Sequence, residues 1–253
     1  GVFGWLAHPG LSAESDHRVS GNWGLLDQLA ALRWVRDHIA PFGGDPKRVT
    51  VFGVSAGSAS IALMLVSPVA QGLFAQAILH SPGTGRPLAS LAQAEAAAVA
   101  VEPNLAAWRR LSAAEVLAQT ARLNPAVRGL TTPRVLRPIR DGWLLPEDER
   151  PAFLAGRLLR VPLLLGTNQD EGTLLTRSWP MRTTADLHAL LAANFPHDQD
   201  EARRCYGAAD DAQVRARVAE AFADTQFNYG AWLLARCMSA VQPRTWCYRF
   251  TRR

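Results

Sequence analysis

Apolar residues in this chain recur at two different periods, and the points where one gives way to the other mark out helices and strands in alternation. Leu25, Leu26, Leu29, Leu32, Trp34, Val35 and Ile39 recur at three- and four-residue spacing, which predicts an amphipathic helix. Ser20-Gly21-Asn22 supplies its start, and the turn formers of Phe42-Gly43-Gly44-Asp45-Pro46 end it. Val49-Thr50-Val51-Phe52-Gly53 then has the β-branched and aromatic content of a buried strand. A second helical pattern through Ile61, Leu63, Met64 and Leu65 follows at once, so the local order is strand, tight turn, helix.

Further short apolar runs predict more strands: Ala75-Gln76-Ala77-Ile78-Leu79, closed by Ser81-Pro82-Gly83; Val161-Pro162-Leu163-Leu164-Leu165-Gly166; and Trp246-Cys247-Tyr248-Arg249-Phe250. Gly1-Val2-Phe3-Gly4-Trp5-Leu6 is also strand-like, and Arg140-Asp141-Gly142-Trp143 places an Asp-Gly turn between two apolar runs, as a hairpin would. Residues 88 to 123 are alanine-rich and helical in period, and residues 184 to 237 are helical again with Pro196 as an interruption. The expected class is α/β: one domain over residues 1–253, a mostly parallel sheet with helices on both faces, and helical insertions at about 85–130 and 175–240. Both ends fall on strand-like runs with no leading turn, so the sequence reads as a fragment truncated at both termini.

Composition narrows the function classes. An apolar fraction of 48% and a charged fraction of 19% are those of a soluble globular protein rather than a disordered one. The net charge of +5 is carried almost wholly by arginine, Lys47 being the single lysine. Arg33, Arg36, Arg86, Arg109, Arg128, Arg157, Arg203 and Arg217 are scattered, with no stripe or aromatic platform, so no nucleic-acid partner is expected. Cys205, Cys237 and Cys247 form no metal-ligand pair and read as structural thiols, with a Cys237 to Cys247 bridge left open by the spacing. Runs such as Ile61 to Val66 fall far short of the ~18 residues of a membrane span, so a soluble protein is expected, cytoplasmic or secreted.

Gly53-Val54-Ser55-Ala56-Gly57 fits G-x-S-x-G at the junction of the first strand and its following helix. Such a junction holds a serine hydroxyl at the tip of a strained turn. Gly53 and Gly57, with Ala56 beside the serine, remove side chains that would collide there. The new helix points free N–H groups and its positive dipole end at the turn, which makes the Ala56 N–H the expected oxyanion donor. Ser55 is the candidate nucleophile; a bare pentapeptide of this form is otherwise an ordinary small-residue turn, and its strand-to-helix setting favours the chemical reading.

Around this motif lie Gly4-Trp5-Leu6-Ala7-His8-Pro9, Ser20-Gly21-Asn22-Trp23-Gly24-Leu25-Leu26-Asp27-Gln28, Ala31-Leu32-Arg33-Trp34-Val35 and Phe42-Gly43-Gly44-Asp45-Pro46. Later come Gly72-Leu73-Phe74 and the run Val161 to Asn168 followed by Asp170-Glu171-Gly172. In this order they resemble the type B carboxylesterase/lipase family, which includes para-nitrobenzyl esterases and cholinesterases. The resemblance implies the α/β-hydrolase fold and hydrolysis of small carboxylic esters through a serine acyl-enzyme of Ser-His-Glu type, without metal or organic cofactor. It places the acid on Glu171 and an active-site neighbour on Ser81, for which a plain turn is the other reading. Asp170 and Glu171 could instead cap the helix that follows.

The sequence departs from the family at Val54, where glutamate is usual. The family's catalytic histidine lies in a loop beyond the strand matching Trp246 to Phe250, and its second oxyanion loop would precede residue 1, so the fragment alone is expected to be inactive. His188 and His197 are the histidines that follow Glu171, and both sit in polar helical sequence where a solvent-facing role is expected. His8 and His80 match family positions other than the base. A non-catalytic esterase-like adhesion or interaction protein, or an inactive truncated homologue, is the alternative; retention of Ser55, Ala56 and Glu171 favours the enzyme. No pattern in the chain fixes an oligomeric state or an acyl and alcohol preference.

Overall fold

Four strands assemble in the order in which the chain makes them. β1 (Thr50–Val54), β2 (Gln76–His80), β3 (Leu163–Asn168) and β4 (Thr245–Phe250) form one sheet, and every neighbouring pair is parallel. The structure, a computed structural model, describes residues 1–123, 130 and 133–252. Parallel pairing demands a crossover between strands, and helices supply it. α1 (Trp23–His38) precedes β1, α2 (Ala56–Val66) crosses from β1 to β2, and α3 (Tyr229–Val241) leads into β4.

Because side chains alternate along a strand and the register aligns them across the sheet, the two faces can be read separately. Ala77, Leu79, Leu163 and Leu165 are buried on one face, in a core shared with Leu25 and Leu29 of α1, residues 61 to 65 of α2, and Leu233, Leu234 and Met238 of α3. α2 is buried on nearly all sides, which is why its sequence is apolar rather than amphipathic. The opposite face carries Phe52 at 73%, Val54 at 64%, Trp246 at 54% and Phe250 at 53% exposure. The face that carries Ala77, Leu79, Leu163 and Leu165 is thus the more deeply covered one, and the face that carries Phe52 and Trp246 is the more open.

The helical insertions are present in the described residues as Leu91–Val101, Leu105–Arg110, Ala113–Ala118 and Thr120–Leu123, then Thr184–Asn194, Gln199–Tyr206 and Val214–Ala223. Residues 124–129 of the first insertion lie outside the described residues. The second builds its own small core around Leu187, Leu191, Val214 and Val218.

Two local expectations are corrected. Val2–Trp5 is a one-turn helix, not a strand, because Val2 is buried with Ala98, Trp108 and Leu123 in a helical cluster. Gly142 does turn, with φ +83°, but no hairpin forms. The Asp141 carboxylate instead accepts the Trp143 and Leu145 N–H groups and the Asn22 side-chain amide. Asn22, at φ +49°, spends its side chain on Ile139 and Asp141 and so does not cap α1. The three cysteines are free thiols, so the bridge left open by the Cys237 to Cys247 spacing is not formed.

The loop after β2 is anchored by a buried carboxylate. Glu149 accepts hydrogen bonds from the Thr84 hydroxyl (2.5 Å) and the Gly85 N–H (2.8 Å). Arg86 next to them donates to the buried Gln226 side chain (2.6 Å), and burial lowers its pKa. Burial pushes the Glu149 carboxyl from 4.5 up to about 7, outweighing the two hydrogen bonds and the charge of Arg86. A carboxyl raised in this way favours the fold fully below 4.5, and that contribution is lost as pH rises through about 7. Between these limits the wild-type Tm should fall relative to Glu149→Gln by roughly 10 °C. Thermal unfolding of both proteins from pH 4 to pH 8 checks this, and a gap independent of pH would contradict it.

Candidate active site

β1 ends in the G-x-S-x-G turn. Ser55 has φ +53° and ψ −114°, outside the regions that L-residues ordinarily occupy, and α2 begins at the next residue. Two hydrogen bonds hold it: the Ser55 N–H donates to the His80 carbonyl (3.0 Å), and the Ser55 carbonyl accepts from the Ala59 N–H (2.9 Å). Ser55, Ala56 and Gly57 are exposed, so the hydroxyl and the first N–H groups of α2 face outward. As the first helical residue, Ala56 has an N–H that the helix itself cannot pair.

The two flanking glycines differ. A Cβ on Gly53 would lie 2.6 Å from the Gly57 carbonyl carbon and 2.8 Å from the Ser58 nitrogen, so this position admits no side chain. A Cβ on Gly57 would meet nothing within 4 Å, which corrects the expectation that both flanks are closed by sterics.

Glu171 follows β3, two strands from Ser55, and is buried at 9% exposure. The Ser81 hydroxyl donates to Glu171 Oε1 (2.6 Å), and the Asn168 N–H donates to the same oxygen (2.7 Å). The Asn168 side-chain amide also reaches the Ser81 hydroxyl (3.3 Å). Capping of the short helix Thr173–Thr176 falls instead to Asp170, whose Oδ1 accepts the Thr173 and Gly172 N–H groups. Those bonds, Thr173 foremost, hold the Asp170 carboxyl below the usual carboxylate range. The two neighbouring acids are thereby separated: Asp170 serves the helix and Glu171 turns inward.

Residues 80 and 81 join the two halves. The carbonyl of His80 holds Ser55, and the side chain of Ser81 holds Glu171. Ser81 is a turn residue with φ +51°, and its hydroxyl also bonds the Glu171 carboxylate. Asn168, which binds both Ser81 and Glu171, was not singled out from the sequence; its place at the last position of an apolar strand, just before an acidic loop, is the signal that could have found it.

His188 and His197 are exposed within the second helical insertion, and neither hydrogen-bonds Ser55 or Glu171 among the described residues. His8 is buried and accepts the Gly10 N–H at a helix start. No group of three or more His, Cys, Asp or Glu able to hold a metal occurs among the described residues. No helix among them is long and apolar enough to cross a membrane. A cavity of about 230 Å³ lies between Thr173, Thr176, Trp179, Met181, Arg182 and Arg215, and neither Ser55 nor Glu171 lines it.

A carboxylesterase family profile matches residues 1–253. The fumonisin B1 esterase of Sphingopyxis macrogoltabida is 45% identical over 251 residues, covering 99% of this chain and 46% of that protein. The para-nitrobenzyl esterase of Bacillus subtilis is 41% identical over 180 residues, covering 69% of this chain and 36% of that one. Among solved structures, a PNB esterase superposes with a TM-score of 0.81 at 33% identity, over 100% of this chain and 54% of its own. The chain thus spans less than half the length of both curated relatives.

The unequal glycines give a direct test of the turn. Gly53→Ala should destabilise the protein by about 1–3 kcal/mol, as overpacking against fixed backbone does. Gly57→Ala, inside the first turn of α2, should leave stability unchanged or raise it by up to about 1 kcal/mol. Urea unfolding of both variants checks the contrast, and equal losses would contradict it.

Proposed function

The chain belongs to the carboxylesterase family, and on that premise we propose that it carries the nucleophile and the acid of a serine hydrolase acting on small carboxylic esters. Ser55 attacks the ester carbonyl while a histidine outside these 253 residues takes its proton. The oxyanion that forms is met by the Ala56 N–H, at the positive end of α2. The histidine passes its proton to the departing alcohol, and water then releases the acid from Ser55 by the same steps in reverse. Glu171 orients the imidazole and stabilises its protonated form. The reaction as proposed uses no metal or organic cofactor.

One observation carries the reading: a strained, exposed serine and a buried, twice hydrogen-bonded carboxylate are held by adjacent residues of one strand end. Ordinary core packing has no need of either. Ligands of open parallel sheets bind beyond the carboxyl ends of the strands, which is where both residues lie. Similarity to proteins named for different esters supports carboxylic ester as the substrate class and nothing finer.

Para-nitrophenyl acetate and butyrate should be hydrolysed by the full-length gene product. Ser55→Ala should lower kcat/KM by about 10⁴-fold or more, and Glu171→Gln by about 10³- to 10⁴-fold. The 253-residue chain alone should be inactive. Ser55-dependent turnover by the short chain would place the base within it, at His188 or His197; a folded full-length product without turnover would favour a non-catalytic member of the family.

A further inference from the structure

His80, the residue whose carbonyl holds Ser55, is itself tethered by its side chain. His80 Nδ1 lies 2.5 Å from the Tyr248 hydroxyl. The two residues belong to β2 and β4, strands that do not touch, and the register places Gly166 of β3 between them. Neighbouring strands are about 4.8 Å apart, so this bond spans about 10 Å of sheet. It forms because Gly166 has no side chain: a Cβ there would lie 2.4 Å from a carbon of the Tyr248 ring and 2.4 Å from the Tyr248 carbonyl. The ring lies across β3 and presents its hydroxyl to His80.

This contact sits on the open face of the sheet, beside exposed Trp246 and Phe250, where core packing does not already fix the side chains. The strand end it restrains is strained, since Ser81 adopts φ +51°, a region costly for a residue with a side chain. Residue 80 must stay in place for the Ser55 N–H to remain paired, and residue 81 must stay in place for Glu171. Burial and, next, the negative charge of Glu171 raise the pKa of the Tyr248 hydroxyl, so this group lies within electrostatic reach of the acid.

Building on the esterase reading, we infer that Tyr248 is a positioning residue of the Ser55–Glu171 site: its hydrogen bond to the His80 ring, made across Gly166, fixes the strand end that holds nucleophile and acid at their separation. Tyr248 acts through His80 and does not touch the ester. Loss of the bond therefore misplaces Ser55 against Glu171 without changing the surfaces that bind substrate, and kcat is the quantity it moves.

Steady-state hydrolysis of para-nitrophenyl butyrate by the full-length gene product tests this, with Tm recorded for each variant. Tyr248→Phe should lower kcat roughly 10- to 100-fold, the scale of a misplacement of about an ångström, with KM within about 2-fold of the parent. His80→Leu should match it, and His80→Gln, which keeps both a donor and an acceptor, should recover most of the loss. The double variant Tyr248→Phe/His80→Leu should be no slower than either single one, as for two partners of one bond. Parental kcat in Tyr248→Phe, a change confined to KM or Tm, or multiplying losses in the double variant would each overturn the inference. If the parent itself shows no Ser55-dependent turnover, the esterase reading has failed and the positioning role falls with it; a parent that turns over beside an equally fast Tyr248→Phe refutes the positioning role alone.

Discussion

The hydrogen bond from the Ser55 N–H to the His80 carbonyl is the joint on which the site depends. It extends the β1 to β2 ladder by one residue, past the point where β1 has finished. A residue at φ +53° and ψ −114° stays there only if its neighbours over-determine it. That bond fixes one side of Ser55, the first turn of α2 fixes the other, and the bare Cα of Gly53 lets strand and helix come close enough to do both. Ser55 itself remains exposed.

From His80 the constraint passes one residue along the chain. Ser81 turns sharply out of β2, its N–H taken by the Gly166 carbonyl of β3, and its side chain meets Glu171. Hydrogen bonds at the carboxyl ends of three parallel strands thus link Ser55 to Glu171 through His80 and Ser81. The main buried core includes Ala77, Leu79, Leu163 and Leu165 of these strands together with apolar residues of α2 and α3. This packed layer underlies the strand ends at which Ser55, Ser81 and Glu171 are held.

Much of this was legible in the sequence, and the exceptions have physical causes. The runs around Val51, Ala77, Leu164 and Tyr248 are β-branched or apolar, short and bounded by turn formers, and all four are strands. The run from Val2 to Leu6 has the same composition but is helical, because a short apolar run does not state its period and its burial partners lie some hundred residues away, at Trp108. The Asp141-Gly142 turn was correctly placed and wrongly extended into a hairpin: local turn chemistry does not say what the aspartate will bind, and here it binds Asn22. Gly53 and Gly57 look equivalent in the motif, and only the packing separates them. Glu149 and the His80–Tyr248 bond were invisible because burial and cross-strand contact are properties of the register. Glu171 owed its candidacy to family resemblance, and the division of labour with Asp170 emerges only when both carboxylates have partners to point at.

The central claim is that Ser55 is a nucleophile activated in a site completed by Glu171, and covalent labelling reads it without reference to any chosen ester. A fluorophosphonate incubated with the full-length gene product, followed by proteolysis and mass spectrometry, reports which side chain reacts. The account predicts one phosphonylated residue, Ser55, with labelling slowed by Glu171→Gln and absent in Ser55→Ala. Labelling of a different serine, or none in a folded protein, would contradict it.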